Sequence, residues 1–594
     1  MRRVRELPEA MRPAPYSRLL QFAFFFSVKQ VVGAVVIPLG NKDFRHAAEI
    51  QFVTFGIDEF LAGGDAIFFQ HDHEKFGVHQ WACVEEFHAA AFVGCIVDLR
   101  FEKDKTFATL ADDQRMNVVL ANMPRLAGLC SMEQAMSSGL SIDDCVARLK
   151  RYHYVFKRLH EIFLARLTAE PIYELKMGFS LHAHYCAEHV AALRKRVGEM
   201  REPPLGLEAV PDANLEIFFD EIRSALTTEE LLLGVYQKAV PALIAALKKH
   251  VDDTNLLADA PSVRVCRFAL LELNDMAEYG KQAIEAVASS PRPSPPKKER
   301  EKTAAWLKLL DECLAAAGGL DGSQKASGKK IARLYSAKPF VYDKVPKRDS
   351  RFPDPYNMGV NAEVFLYDEK MPPDAKVLMM FYKRLREIDV PEMMASIIME
   401  TPNKPWAYYR DMTRQLWDEA RHAMMGEVGF AKLGVDWPKN VMVNFTWSLG
   451  LNTQLEPIER HGVLYFIEQG LMPRNGKRYE WEVGLKSHCA LSALFQDYDW
   501  ADEVLHARIG RDWYLKEFKS ATEAVEYGDK CWSKVLMGWR EWREKGLTQH
   551  RNWWGNCYSQ SCEKAGIKPD PAVLSYDTSY EQVRADLKNI SGSA

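Results

Sequence analysis

The chain lacks any Cys-x-x-Cys pair, although it contains 11 cysteines among its 594 residues. An odd number of cysteines without regular spacing argues against a zinc site built from thiolates and favours a reducing compartment, so we expect a cytoplasmic protein. The sequence also lacks a flavin or nicotinamide fingerprint. Any reductant that the protein uses would therefore come from an external electron donor.

Long hydrophobic runs and a strong net charge are also missing. The longest apolar stretch, residues 22–39, is interrupted by Lys29 and Gln30, so we expect no membrane span. Glu6 and Glu9 do not fit the basic start of a signal peptide. The net charge of −4 provides no electrostatic reason to expect nucleic acid as a partner.

Four regions with different patterns follow one another along the chain. A single hydrophobic core stops growing near ~250–300 residues, so this length predicts more than one domain. Residues 1–131 have weak periodicity and short apolar runs, and we interpret them as an extension upstream of the working protein. The other regions are predicted as a helical bundle at 132–288, a Pro-rich linker with an extended segment at 289–372, and a second bundle with a C-terminal tail at 373–594.

The bundle predicted at 132–288 contains four long amphipathic patterns. Ser141 and Thr227 are suitable N-caps for the first and the third of these helices. The helices carry histidines and glutamates in no regular motif, so we expect a metal-free bundle with a structural or homodimerising role. The alternative is a divergent metal or substrate site that uses His182, Glu188, His250 and Glu272.

Two nonapeptides in the last region share the pattern D-E-x-x-H-A-x-x-G. The copies begin at Asp418 and at Asp502, and both lie in strongly helical stretches. Residues i and i+3 share one face of a helix, so Glu419 can act with His422, and Glu503 with His506. Two such helices in one bundle are a common way to hold a pair of carboxylate-bridged metal ions.

Two further carboxylates are expected from the helices that precede each copy. A Pro-Glu pattern in both helices favours Glu392 and Glu459. Helix geometry leaves Glu387 as an alternative, because it is level with Glu419 if the chain turns at Asn403, whereas Glu392 lies about 7.5 Å away along the axis. Glu456 is the corresponding alternative to Glu459.

Residues of about 375–520, and specifically the doubled D-E-x-x-H motif, resemble the ferritin-like superfamily of carboxylate-bridged di-iron proteins. The resemblance implies an all-α fold with two ferritin-like four-helix bundles. It also implies that Glu419 and Glu503 bridge two metal ions, that His422 and His506 each bind one, and that Glu392 and Glu459 are terminal ligands. Carboxylates with one imidazole per metal suit two iron ions, or manganese or a mixed pair.

Residues beside the motif complete this interpretation. Asp418 and Asp502 cannot share the face of the ligands, and one hypothesis is that each bonds a ligand histidine on the neighbouring helix. Gly426 and Gly510 predict a close approach of neighbouring helices. In radical-generating members of the superfamily a tyrosine occupies the position of Gly426, so a tyrosyl radical is not expected there.

The function expected from the resemblance is that of a di-iron oxidoreductase, an oxidase or oxygenase that activates O2 or peroxide and acts on an organic substrate. The first alternative is iron handling or peroxide detoxification without an organic substrate. The second is a non-catalytic helical interaction scaffold, which would leave the buried glutamates of the doubled motif without a partner, at a cost in stability.

Overall fold

The computed structural model describes residues 123–201, 206–290, 296–352, 359–440, 446–471, 476–546 and 551–579, together with the backbone of five strands nearer the N-terminus. Contacts divide the chain into two compact units, Met1–Arg125 and Leu126–Ala594. The described part of the second unit is helical, so the predicted all-α fold is confirmed.

The N-terminal unit contains short antiparallel strands. They are β1 Arg18–Phe22, β2 Val35–Leu39, β3 Phe69–His73, β4 Val78–Cys83 and β5 Phe92–Val97. β1 pairs with β2, with Arg18 opposite Leu39, and β4 lies between β3 and β5. The other residues of the predicted extension before residue 123, including 23–34 of the longest apolar stretch, lie outside the described residues.

The helices of the first half of the second unit are α1 Met132–Met136, α2 Ile142–Ala169, α3 Tyr173–Met200, α4 Ala213–Arg223, α5 Thr228–Leu232, α6 Val240–Asp253, α7 Ala260–Ser289 and α8 Lys297–Ala316. A π-helical segment, Leu233–Ala239, joins α5 to α6. The helices of the second half are α9 Ala362–Tyr367, α10 Pro373–Arg386, α11 Val390–Glu400, α12 Trp406–Lys432, α13 Trp437–Asn440, α14 Thr446–Gln454, α15 Pro457–Leu471, α16 Lys477–Lys486, α17 Ala490–Trp513, α18 Ala521–Glu544, α19 Trp554–Ala565 and α20 Pro571–Leu574.

The predicted N-caps of the first half are confirmed. The Ser141 hydroxyl accepts a hydrogen bond from the backbone N–H of Asp144 at the start of α2, and Thr227 accepts one from Glu230 at the start of α5. Helix α8 begins at Lys297, inside the segment predicted as linker. The reason is that 297–302 consists of Lys, Glu and Arg, which are good helix formers once the prolines have ended.

The two helical halves share one hydrophobic core. A single buried cluster contains Leu149 and Phe163 from α2 together with Met394 from α11 and Met412 from α12. Polar contacts also join the halves, because the Trp406 indole N–H donates to the carbonyl of Ala187 at 3.1 Å. The halves therefore pack into one compact unit, while their description as two ferritin-like bundles stays a prediction.

The helical path formed by α10 and α11 is interrupted in front of Pro391. Proline has no N–H to donate, and its ring clashes with the carbonyl four residues earlier, which belongs to Glu387. The chain forms a 3₁₀ turn there, Glu387–Asp389, between α10 and α11. The return to α12 is made at Asn403, which has a left-handed φ of 64°. The break places Glu387 at the junction of two helical segments.

The sequence pattern predicts the third helix of the second bundle over about 441–471, with a kink at Pro457, and the fourth over about 481–518, and the structure differs from both predictions. Instead of one helix kinked at Pro457, the structure has α14 and α15, and Pro457 begins the second of them. Instead of one helix from residue 481 to 518, the shorter helices α16 and α17 are separated by 487–489. The position of a side chain along this path therefore cannot be counted through one continuous helix.

One described helical stretch, Thr228–Asp253, is long and apolar enough to cross a membrane by length and composition. Within its most apolar window, 61% is buried inside the protein. A buried core helix of a soluble protein passes the same test, so this stretch is weak evidence for a span.

Candidate metal centre

The four glutamate and histidine residues of the doubled motif meet between α12 and α17. Glu419, His422, Glu503 and His506 are at most 2% exposed, and the two imidazole rings lie 5.9 Å apart. The spacing i, i+3 on each helix directs each pair inward, as expected for one face of a helix. The duplicated pattern therefore corresponds to one buried cluster.

Two groups of side chains within this cluster could hold metal ions. In each group, one ligand atom per residue lies within 4.8 Å of all the others. The first group consists of Glu387, His422, Asp499 and Glu503, and the second of Glu419, Glu468 and His506. Each group contains one histidine, as expected for a site with one imidazole per metal.

Glu419 and Glu503 each face both groups. One oxygen of Glu419 lies 3.7 Å from His422 Nδ1, and its other oxygen lies 3.2 Å from His506 Nδ1. Glu503 belongs to the His422 group, and its Oε2 lies 3.4 Å from His506 Nδ1. Carboxylates in this position can bind two ions at once, which is the arrangement that the resemblance implied for Glu419 and Glu503.

The hypothesis for Asp418 and Asp502 is confirmed. His422 Nε2 lies 3.1 Å from Asp502 Oδ2, and His506 Nε2 lies 3.4 Å from Asp418 Oδ2, so each helix supports the histidine of the other. An Nε2–H that donates to the aspartate leaves Nδ1 of each ring free to face the carboxylates. Arg421 donates to both aspartates and thereby links the two pairs.

The glycines of the motif allow close packing, as predicted. A Cβ added at Gly426 would lie 2.6 Å from the carbonyl oxygen of Phe381 and 2.7 Å from Cα of Leu385, so the backbones of α10 and α12 approach directly. A Cβ at Gly510 would overlap the ring of Tyr465. The site therefore has no room for a tyrosine at position 426.

The structure does not bring Glu392 or Glu459 into the cluster. The fully buried Glu392 carboxylate forms an ion pair with Lys176, accepts from Arg348 at 2.8 Å and accepts from Ser448 at 2.6 Å. Glu459 lies in the first turn of α15 and accepts from the backbone N–H of Glu456, where a carboxylate satisfies a free helix N–H.

Glu387 and Glu468 occupy the places expected for those two glutamates. Glu387 Oε2 lies 3.2 Å from His422 Nδ1, and the height argument from the turn at Asn403 had identified it as an alternative. Glu468 Oε1 lies 3.9 Å from His506 Nδ1, and the side chain accepts from Gln415. Neither Glu468 nor Asp499 was a sequence candidate. Breaks in the third and fourth helices prevent the position of these side chains along the bundle axis from being counted from the sequence.

The central atoms of the six residues Glu387, Glu419, His422, Glu468, Glu503 and His506 lack hydrogen bonds. Each residue has one inward atom that is buried and has no partner of acceptable geometry in the described part of the chain: Glu387 Oε2, Glu419 Oε1, His422 Nδ1, Glu468 Oε2, Glu503 Oε2 and His506 Nδ1. Buried polar atoms are usually satisfied, and cations among these six convergent atoms would satisfy them. Four carboxylates would neutralise two divalent cations, so the residues present fit a pair of metal ions.

Asp499 Oδ1 is likewise buried without a hydrogen bond of acceptable geometry among the described residues, but the carboxylate of Asp499 lies among two cations and an amide. Its carboxylate pairs with Arg384 and accepts from Lys477 at 2.7 Å and from Gln496 at 2.7 Å. Lys477 also donates to Glu503 at 2.9 Å. We therefore assign Asp499 to the support of Arg384 and Lys477 beside the cluster.

Without metal, the cluster is balanced by protons. Burial alone would lower the pKa of His422, but Asp502 and Glu387 raise that pKa to about 10. Burial likewise acts to lower the pKa of His506, yet Asp418 and Glu419 raise it well above its ordinary value. Burial, together with the neighbouring Glu503, raises the pKa of Glu468. His422 is then cationic at pH 7, and the raised pKa values of His506 and Glu468 favour the protonated forms of both groups.

Metal loading should therefore release protons. The ions can bind only the deprotonated Nδ1 atoms and the ionised Glu468, so the apparent affinity should fall as the pH is lowered from about 8 to about 6. Calorimetric titration with Fe2+ or Mn2+ in two buffers of different ionisation enthalpy measures this release. A binding enthalpy that is the same in both buffers would contradict the expected protonation.

The alternative site proposed for the first half does not form. His182 bonds the Tyr236 hydroxyl at 2.7 Å, Glu188 lies 4.0 Å from Arg410, and Glu272 lies 2.7 Å from His189. His250 lies elsewhere, beside Asp259. The six residues of the cluster are therefore the best candidate for the functional centre.

No family model, no curated protein and no solved structure matches this chain.

Proposed function

We propose that this protein is a ferritin-like di-iron oxidase or oxygenase. Glu387, Glu419, His422, Glu468, Glu503 and His506 would hold the ions. Oxygen ligands with one imidazole per metal suit iron or manganese better than copper or structural zinc. When bound, the iron pair supplies the reduction of O2 or peroxide that oxidises an organic substrate.

The residues around the centre have separate tasks in this proposal. Asp418 and Asp502 fix the ring orientation of the two histidines from opposite helices. Glu419 and Glu503 offer oxygens to both groups, and flexible carboxylates can adjust when the charge of the centre changes. Arg384 and Lys477 hold Asp499 and Glu503 in place.

The observation that supports a substrate reaction most directly is a cavity beside the cluster. Its volume is about 200 Å³, and the ligands Glu387, Glu419, Glu468 and Glu503 form part of its wall. Its lining also includes the apolar residues Val390, Met393, Leu451, Leu464, Phe466, Ile467 and Trp532, and the polar or charged residues Glu363, Lys383, Arg384, Arg386, Asp389 and Ser448. Iron handling alone does not require a cavity with apolar lining against the metal ligands.

The size of this cavity suggests a small organic substrate. An engineered apolar cavity of ~150 Å³ in another protein binds benzene, so a chamber of this volume can admit a compact apolar or aromatic molecule. Burial in such a chamber also excludes water from the reacting groups. We therefore expect substrates of modest size with an apolar body.

Oxygen consumption by the iron-loaded protein tests the proposal. We expect uptake with a chemical reductant to increase when small aromatic compounds such as indole are added, and an oxidised product to be found by mass spectrometry. Met393→Trp should fill the cavity, retain the metal and lower the substrate-dependent rate on the order of 10²-fold.

The outcomes of these experiments distinguish the three hypotheses for the function. Iron oxidation that no organic compound stimulates, without an oxidised product, would favour iron handling or peroxide detoxification and refute the oxygenase. A purified chain that binds no metal would refute both and leave the interaction scaffold. Unchanged substrate dependence in Met393→Trp would show that the cavity is not the substrate site.

A further inference from the structure

Another group of side chains that could bind a metal ion lies where three helix ends meet, apart from the two groups of the centre described above. Cys145 is in the first turn of α2, His250 is in the last turn of α6, and Asp259 is the residue before α7. Their exposed fractions are 2%, 0% and 7%. One ligand atom from each lies within 4.8 Å of the other two.

The distances show a compact arrangement around one carboxylate oxygen. Cys145 Sγ lies 3.5 Å and His250 Nε2 lies 3.4 Å from Asp259 Oδ2. The Thr254 hydroxyl donates to the same oxygen at 3.1 Å and lies 3.7 Å from the sulfur. Arg196 donates to the other oxygen, Oδ1, at 3.0 Å and thereby orients the carboxylate.

The histidine indicates that this group is incomplete without a ligand. The His250 side chain is fully buried, and neither of its ring nitrogens has a hydrogen-bond partner in the part of the chain that the structure describes. A neutral imidazole has one donor and one acceptor, and both are normally satisfied in a protein interior. An electron-pair acceptor near Nε2 would satisfy the acceptor nitrogen.

We infer that Cys145, His250 and Asp259 form a separate site for one divalent cation of the zinc class. Sulfur, imidazole and carboxylate donors together are typical of zinc, while iron or magnesium sites rely more on oxygen. Thr254 lies next to the remaining coordination position, which its hydroxyl or a water molecule can fill. The enclosed position and the three helix ends give the ion a structural role, because it clamps the start of α2 to the α6–α7 turn.

The alternative without a metal ion is a polar network in which Cys145 and Thr254 donate hydrogen bonds to Asp259. That network satisfies the carboxylate, but it leaves His250 Nε2 with only the 3.4 Å ion-pair contact to Asp259, and Nδ1 with no hydrogen-bond partner in the described part of the chain. Burial, partly offset by the Thr254 hydrogen bond, raises the pKa of the Cys145 thiol to about 11, so the free thiol is protonated at pH 7. Only a bound cation would convert it to a thiolate under these conditions.

Cobalt titration of the full-length chain tests the site by spectroscopy. Glu419→Ala with Glu503→Ala serves as the parent, so that Co2+ bound at the first centre does not add to the measured stoichiometry. We expect one Co2+ per chain with thiolate-to-cobalt charge-transfer absorption in the near ultraviolet. Cys145→Ser should abolish that absorption, whereas Cys313→Ser, at another buried cysteine, should retain it.

Two results would overturn the inference. Absence of the thiolate absorption at saturating Co2+, or its persistence in Cys145→Ser, would show that these residues bind no metal. Zn2+ should also raise the Tm of the parent by about 3–5 °C, because the ion binds only the folded chain. If Cys145→Ser does not fold, the same comparison of Tm with and without Zn2+ in the parent decides the question.

Discussion

Glu419→Ala and Glu503→Ala are each expected to reduce the iron or manganese content of the purified chain from about two ions to nearly none. Both carboxylates face both groups, so either change removes a ligand from both ions at once. Each substitution also leaves the remaining carboxylates and the two imidazoles without the carboxylate that faces both groups. Metal analysis of freshly purified protein measures the effect directly.

A matched control for the metal experiment is Asp497→Ala, on the same helix as Glu503 but exposed to solvent. It removes one negative charge without touching the cluster, so its metal content should equal that of the unmodified chain. Unchanged metal content in both Glu419→Ala and Glu503→Ala would refute the centre. The proposed oxygen chemistry would then have no site in the described part of this protein.

Glu392→Gln is expected to lower the free energy of unfolding by about 3–5 kcal/mol without loss of metal. Glu392 is fully buried and neutralises Lys176 from the first helical half and Arg348 from the connecting segment. Loss of its charge leaves buried cations uncompensated, which costs far more than loss of a surface ion pair. Denaturant titration and metal analysis of the same sample separate the two effects.

The comparison for Glu392→Gln is Glu387→Gln, with the opposite expected pattern. Glu387 faces His422, so its loss should remove metal, whereas its partly exposed side chain should make a smaller contribution to stability. Metal loss in Glu392→Gln together with retention in Glu387→Gln would reverse our assignment. The first pair of helices would then have to move relative to the structure described.

The doubled motif was the most informative feature of the sequence. Its spacing alone indicated which four side chains share two helix faces, and the structure brings those four together. The spacing also showed that Asp418 and Asp502 lie off the face of the ligands, and a bond to a histidine of the neighbouring helix was one hypothesis for them. These predictions succeeded because they depend on helix geometry over a few residues.

The two remaining glutamates depended on longer distances along the chain. The preference for Glu392 came from a repeated Pro-Glu pattern. The alternative, Glu387, came from its position along the helix axis, which is level with Glu419 if the chain turns at Asn403. In the structure, the break before Pro391 and the turn with positive φ at Asn403 bring Glu387 to the cluster. Glu468 was missed because α16 lies between its helix, α15, and α17. The position of Glu468 along the bundle axis relative to His506 is therefore set by packing and not by a residue count.

The sequence by itself determined the helical class and the four side chains of the doubled motif that come together, since both depend on periodicity within single helices. Only the tertiary structure decided the fates of Glu392, Glu468 and Asp499, and the meeting of Cys145 with His250 and Asp259. These contacts join segments that are distant in the chain. Their geometry follows from how helices pack and where they break, which local patterns do not encode.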